Sequence, residues 1–440
     1  MRIKIPQIPQ RIRVAHHLDH LPESASVIAE ISKGIYGLPH AGKLAQDRLI
    51  AHLATSGYHL TPSTTCLFRH DTRPIAFTLV VDDFGIKYKG DEHRDHLFAT
   101  LRSLYAITVD STGSKYLGIS ISHNHALRTI SISMPGYITN TLARFGVVKL
   151  HRNTNSPLIY TPPVYGHAAE PIAPPPTLPP LPPERVTRLQ QIIGQLLYYA
   201  RCVDPTLITA INKLASQQAI ATTDTEIAID RLLQYVATWP TSIITYRASD
   251  MRLILYADAS YLSETSARSR AGGVHYLGGS DLDAPPNGSI DFMSSIIPSV
   301  VSSVAEAEYA SLFLNACAAE EHRNTLADLG YPQPSTPLFT DNSCAVGIAN
   351  NSVKQKRSKA MDMRYHWIRD RVKNGHFTVS WKAGEGNYAD FFTKALPVNE
   401  HVAQRKHFVS YAPLVTPHTN ARALKSCRQR QAREGVLILP

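Results

Sequence analysis

The chain has 440 residues, of which 43% are hydrophobic and 18% charged. That length implies two or three domains, and the balance excludes a largely disordered chain. Lys and Arg number 45 against 35 Asp and Glu, a formal charge of +10 that favours a polyanionic partner. The five cysteines, Cys66, Cys202, Cys317, Cys344 and Cys427, contain no CxxC pair. Their scatter argues against a disulfide scaffold or a zinc knuckle and predicts a reducing, intracellular location. No apolar run approaches the roughly 20 residues that cross a bilayer, so no membrane partner is expected. The basic opening MRIKIPQIPQRIR lacks the apolar stretch of a secretory signal.

In chain order, Val27 to Ser32 reads as a strand and Gly34–Gly37 as a turn. Pro39 suits the first turn of a helix whose apolar face is Ala41, Ala45, Leu49 and Leu53, with Gly57 as its stop. Residues 75–89, IAFTLVVDDFGIKYK, read as two β-rich arms around a short acidic turn. A helix near 92–105 follows, then strands at 115–122 and 128–134. Residues 157–183 hold 11 of the 30 prolines. Proline fixes φ and lacks an amide donor, so an extended linker over 151–184 is expected.

Three amphipathic helices come next, carrying Leu189, Ile193 and Leu196, then Leu207, Ile211 and Leu214, then Ile229, Leu233 and Val236. Strands are expected at 252–258, 271–278 and 289–297, a helix at 304–328 and a strand at 336–340. A helix at about 358–373, a strand at 376–382 and a short helix after Tyr388 complete an α/β pattern.

Asp82 and Asp83 interrupt the apolar run Phe77–Val81. Two carboxylates there are costly unless solvated, paired or bound to a metal. At a turn they can project together toward a hard cation such as Mg²⁺; on the dipeptide alone a surface β-turn is the favoured reading. The segments KGIYGLPHAGKLAQDRL (33–49), LVVDDFGIKY (79–88) and SKYLGISIS (114–122) give it context. Their order and spacing resemble the reverse transcriptases of copia-type retrotransposons.

The resemblance implies that 79–88 is a polymerase palm hairpin, with Asp82 its metal-binding carboxylate and Asp83 beside it at the primer end. It puts Tyr36, Gly37, Leu38, Pro39 and His40 on the template and incoming-nucleotide side. His40 stands where family members usually carry glutamine. The family's other palm aspartate lies upstream of the GLPHAG-like motif. No strand-like segment before residue 33 supplies it here, so the fingers and first aspartate are expected to be missing. The chain as given is then expected to polymerise poorly or not at all.

A second acidic set follows the linker. Asp258 ends a strand in LILYADASYL, Glu308 lies near a helix start in AEAEYASLF, Asp341 ends a strand in PLFTDNS, and Asp390 opens the last helix in YADFFTKAL. Singly, Glu308 reads as a first-turn acid and Asp341 as a cap. Together, four such carboxylates can hold two divalent cations and orient a water for attack on phosphorus.

Residues 250–396 resemble the ribonuclease H domain attached to copia-type polymerases. That likeness assigns the metal-ligand role to Asp258, Glu308, Asp341 and Asp390, with two Mg²⁺ or Mn²⁺ ions per active site. Glu308 is chosen over Glu306 because it directly precedes the aromatic residue. Residues 353–373 hold eight Lys and Arg. Lys354, Lys356, Arg357, Lys359 and Arg364 are candidate phosphate contacts; a solvated basic helix face is the alternative. The tail from His401 adds seven more basic residues and one Glu.

The expected fold is α/β and α+β, in several domains. A partial polymerase palm takes 1–150, the Pro-rich linker 151–184 and a helical thumb and connection 185–245. A ribonuclease H-like α/β domain with a mixed sheet takes 246–400, and a basic tail 401–440. The expected function is hydrolysis of the RNA strand of RNA–DNA hybrids by a retrotransposon-derived polymerase fragment. The alternative is an inactive transposon relic that only binds nucleic acid through its basic surface.

Overall fold

The computed structural model describes residues 2–30, 40–147, 153–162, 178–351, 362–412 and 435–439. The expected turn at 34–37 and most of the proline segment lie outside the described residues.

The 75–89 run folds as the expected hairpin, β1 (Ile75–Val80) and β2 (Asp83–Tyr88). Val80 pairs with Asp83, which leaves Val81 and Asp82 as a two-residue turn. Val81 has φ 60°, an uncommon conformation for a β-branched residue. Leu67–His70 and Tyr58–Leu60 extend the sheet beyond β1, and Gly435–Leu439 pairs with β2 on the other side. One face alternates Ile75, Phe77, Leu79 and Phe84, Ile86 into a core closed by Leu53, Leu97 and Leu101. These last three come from the helices Ala41–Ala54 and Asp91–Arg102.

The three amphipathic helices are α1 (Pro183–Val203), α2 (Ile208–Gln217) and α3 (Thr223–Thr238). Trp239 and Pro240 end α3, and Ser242–Arg247 continues as a strand. This strand was expected to be part of the helical region. Its β-branched residues Ile243, Ile244 and Thr245 pair with Thr129–Ser133, more than a hundred residues earlier. Its other neighbour is Ser410–Tyr411, from beyond residue 401. One sheet thus draws strands from both sides of the proline segment and from the basic tail.

The third sheet has the order β5–β4–β3–β6–β7, formed by β3 (Arg252–Glu264), β4 (Arg268–Gly278), β5 (Ser289–Ile296), β6 (Thr336–Thr340) and β7 (Phe377–Trp381). β3, β4 and β5 are antiparallel; β6 and β7 join parallel to β3. α4 (Val304–Asp328) covers one face with α5 (Asp362–Lys373) and the unpredicted helix Ser343–Ala349. Leu253, Leu255 and Ala257 point to that side. Ile254, Tyr256, Val274 and Phe292 point the other way, into the core that holds α1, α2 and α3. Both faces are therefore buried, which explains the unbroken apolar runs in β3 and β4. The helix expected after Tyr388 is a short 3-10 turn, Tyr388–Phe392, and a further helix spans Val398–Arg405.

The first sheet docks on the C-terminal end of α4. Thr64 Oγ1 and the Ser63 amide donate to Asp328 Oδ2 at 2.9 and 3.1 Å, and Arg69 donates to the Asp328 carbonyl. The architecture is mixed α/β with several sheets, as expected. Among the described residues, no helix is long and apolar enough to cross a membrane.

Candidate active site

Parallel pairing brings the second acidic set together. Leu255 lies opposite Leu338 and Tyr256 opposite Phe339. Asp258 and Asp341 each follow that last pair by two residues, so they lie side by side where β6 ends. Asp258 itself is midway along β3, which runs on to Glu264 in pairing with β4 instead of ending at Asp258 as expected. α4 lies across this part of the sheet. Ser311, nearly one turn past Glu308, donates its hydroxyl to the Asp258 carbonyl at 2.6 Å. One carboxylate oxygen each from Asp258, Glu308 and Asp341 lie within 4.8 Å of one another. Asp258 and Glu308 are each only 5% exposed, and Asp341 is the most open of the three.

Two glycines permit this approach. Gly272, paired with Asp258, faces the turn that carries Asp390; a Cβ there would meet Thr393 Cγ2 at 2.5 Å and the Ala389 carbonyl at 2.8 Å. On the other face, a Cβ at Gly273 would fall 1.7 Å from Asn315 Oδ1. Any side chain at either position would push α4 or the 388–392 turn off the sheet.

Asp390 does not share the 4.8 Å grouping, but its charge acts on the site. Burial, then Asp390, raises the Asp258 carboxyl to about 7. Burial, then Asp258 and Asp341, raises Glu308 to about 9. Burial, then Asp390, also raises Asp341. Buried like charges cannot all ionise without compensation. Lys394 forms an ion pair with Asp390, and Thr393 donates to Asp258 Oδ2 at 2.7 Å. The crowded oxygens of Asp258, Glu308 and Asp341, three acids pushed toward the neutral form, suit divalent cations of the Mg²⁺ class.

Glu306 and Glu308 separate clearly. Glu306 turns back to the helix start, where the Ser302 amide and hydroxyl donate to its Oε2. Glu308 faces the carboxylates, accepting weakly from Thr340 Oγ1 at 3.4 Å. Thr393 and Lys394 were not assigned roles from sequence; their spacing of three and four from Asp390 was the available signal.

The first acidic pair is arranged differently. Asp82 sits exposed in the two-residue turn and Asp83 starts β2. Among the described residues, neither joins a group of three or more potential metal ligands. Tyr116, from the third resembling segment, packs under the hairpin with its hydroxyl 2.8 Å from Thr78 Oγ1. His40 is exposed just before the helix Ala41–Ala54. Tyr36, Gly37, Leu38 and Pro39 lie outside the described residues, as do Lys354, Lys356, Arg357 and Lys359. Arg364 is partly buried, donates to Ser299 Oγ at 3.1 Å and lies over the Phe313 ring.

No protein-family model matches the chain. It is 26% identical over 374 residues to the Retrovirus-related Pol polyprotein from transposon RE2 of Arabidopsis thaliana, covering 84% of this chain and 24% of that protein. It is 23% identical over 382 residues to the corresponding polyprotein from transposon TNT 1-94 of Nicotiana tabacum, 85% of this chain and 27% of that one. The Transposon Ty1-DR5 Gag-Pol polyprotein of Saccharomyces cerevisiae is 20% identical over 84% of this chain and 21% of its own length. The chain thus spans about a quarter of the curated relatives it matches. Among solved structures, LC11-RNase H1 in complex with RNA/DNA hybrid aligns at 15% identity over 35% of this chain and 98% of that one, TM-score 0.26. The foamy viral protease-reverse transcriptase in complex with dsDNA aligns at 12% identity over 80% and 60%, TM-score 0.39.

Proposed function

From a chain whose homologues are copia-type retrotransposon Pol polyproteins, we propose a metal-dependent nuclease that cuts the RNA strand of RNA–DNA hybrids. One observation carries this reading. Carboxylates from β3, α4 and the end of β6 converge within 4.8 Å of one another, with burial working against their ionisation.

Asp258, Glu308 and Asp341 would hold the cations, with Asp390 adjoining. Two bound Mg²⁺ or Mn²⁺ ions supply an activated water and stabilise charge on the phosphate oxygens. The chain's own groups prepare for this. Thr393 holds one Asp258 oxygen through a hydrogen bond. The Ser311 hydroxyl ties the backbone of β3 to α4, which fixes Asp258 relative to Glu308. Lys394 offsets the Asp390 charge at the rim.

The hybrid partner and the basic contacts at Lys354, Lys356, Arg357, Lys359 and Arg364 belong to the same proposal. Strand discrimination would rest on groove shape and the 2′-hydroxyl. The proposal concerns Asp258, Glu308, Asp341 and Asp390; Asp82 and Asp83 carry no part of it. The proposed setting is an intracellular one. A hybrid-cleavage assay in Mg²⁺ and Mn²⁺, with filter binding alongside, tests the reading. Binding without metal-dependent cutting would favour the inactive relic instead.

A further inference from the structure

A second group of potential ligands lies away from the four acids. His275 on β4 stands directly opposite Asp291 on β5 in the strand register. His322 of α4 packs over the pair, its ring centroid 5.3 Å from that of His275. One ligand atom each from His275, Asp291 and His322 lie within 4.8 Å of one another.

The hydrogen bonds fix the tautomer of His275. Asn315 Nδ2 donates to the carbonyls of Gly272 and Ser311 at 3.1 and 3.0 Å. Its Oδ1 therefore accepts from His275 Nε2 at 3.1 Å. The proton sits on Nε2, and Nδ1 carries a lone pair. His275 is 1% exposed, and its buried Nδ1 has no hydrogen-bond partner among the described residues. A buried imidazole acceptor left unpaired is costly. An imidazole with one nitrogen donating to a fixed carbonyl and the other free has the arrangement of a metal ligand.

The other two members fit. Asp291 Oδ1 accepts from the Phe292 amide at 2.8 Å and has Arg201 Nη1 3.5 Å away. Asp291 Oδ2 is left facing His322 Nε2 at 3.2 Å. The side chains of Asp291 and His322 are 28% and 27% exposed, so an ion and a water ligand can enter from that side.

We propose that His275, Asp291 and His322 form a second metal centre that takes Zn²⁺. Two imidazole nitrogens and one carboxylate oxygen are a donor set of the zinc class, whereas Mg²⁺ prefers oxygen alone. The ion would clamp β4, β5 and α4, the last of which also carries Glu308. The proposal does not rest on the nuclease reading.

The test uses the full chain, freed of metal and then titrated in a millimolar excess of Mg²⁺. The wild-type chain should take up one Zn²⁺ and melt at a higher temperature with it. It should also give the visible absorption of tetrahedral Co²⁺ when cobalt replaces zinc. His322→Gln, at a half-open position, should weaken zinc binding at least about tenfold and lose the cobalt band. Asp291→Asn should do the same, and serves if the first variant does not fold. An Asp258→Asn, Asp341→Asn double variant should keep the zinc. Failure of the wild type to bind, equal binding by His322→Gln and Asp291→Asn, or loss of zinc in the double variant overturns the proposal. The last result would leave the nuclease reading standing.

Discussion

The Thr393 hydroxyl donates to Oδ2 of Asp258 over 2.7 Å, inside a buried cluster of acids. A carboxylate held in this way cannot swing out of the group. Thr393→Val keeps the shape and removes the donor, leaving a buried acceptor unmet at about 1–3 kcal/mol. Hybrid cleavage should fall roughly tenfold or more, and Thr393→Ser should recover most of it. Single-turnover cleavage rates for the three proteins check this.

Lys394 is the cation paired with Asp390, and its charge also opposes the raised affinity of Asp258 for its proton. It is about half exposed, so solvent screens much of its effect. Lys394→Met should make the site more negative. The Mg²⁺ concentration for half-maximal cleavage should drop a few-fold, measured by metal titration at constant ionic strength.

The acids give a signed pH dependence. Burial raises the folded-state affinity of Asp258 and Glu308 for protons, to about 7 and about 9. The folded state thus binds more protons than the unfolded one, so their stabilisation is present at low pH and lost as pH rises through those values. His275 works in the opposite sense: burial lowers it to about 4, so its stabilisation is lost as pH falls below about 6.5. Above about pH 6.5 the histidine contribution is complete and only the acids still titrate, so the metal-free chain should lose melting temperature between about pH 6.5 and pH 9. Glu308→Gln should flatten that fall and melt several degrees higher than wild type at pH 8 without metal. Adding Mg²⁺ at pH 8 should stabilise the wild type more than the variant. Calorimetric melts across pH, with and without metal, test all three expectations.

Acids beside apolar runs and the resemblance to a ribonuclease H domain together pointed to four carboxylates, Glu308 over Glu306 among them, and three of the four meet within 4.8 Å of one another. The residues that serve them were harder to read. Thr393 and Lys394 are ordinary polar residues until the 388–392 turn lies against Gly272. His275, Asp291 and His322 are scattered along the sequence and meet only through strand register and the packing of α4 on the sheet. The Ser242–Arg247 strand was hidden for the same reason, since its partners lie far along the chain. Non-local pairing leaves little local trace.

Gly273 gives a packing prediction of its own. A methyl group at this position would lie 1.7 Å from Asn315 Oδ1, and Asn315 is fully buried with its hydrogen bonds committed. Gly273→Ala should cost about 1–3 kcal/mol or more through overpacking. Thermal melts should show the loss, and Asn315→Ala combined with it should restore part of the stability while still disturbing His275.

The most direct measurement is cleavage of a labelled RNA–DNA hybrid by the purified chain, wild type beside Asp258→Asn and Asp341→Asn, each checked for folding. The wild type should cut only the RNA strand, only with Mg²⁺ or Mn²⁺, and both variants should be inactive while still binding the hybrid. Undiminished cutting by either folded variant would contradict the assignment of the converging carboxylates as the catalytic centre.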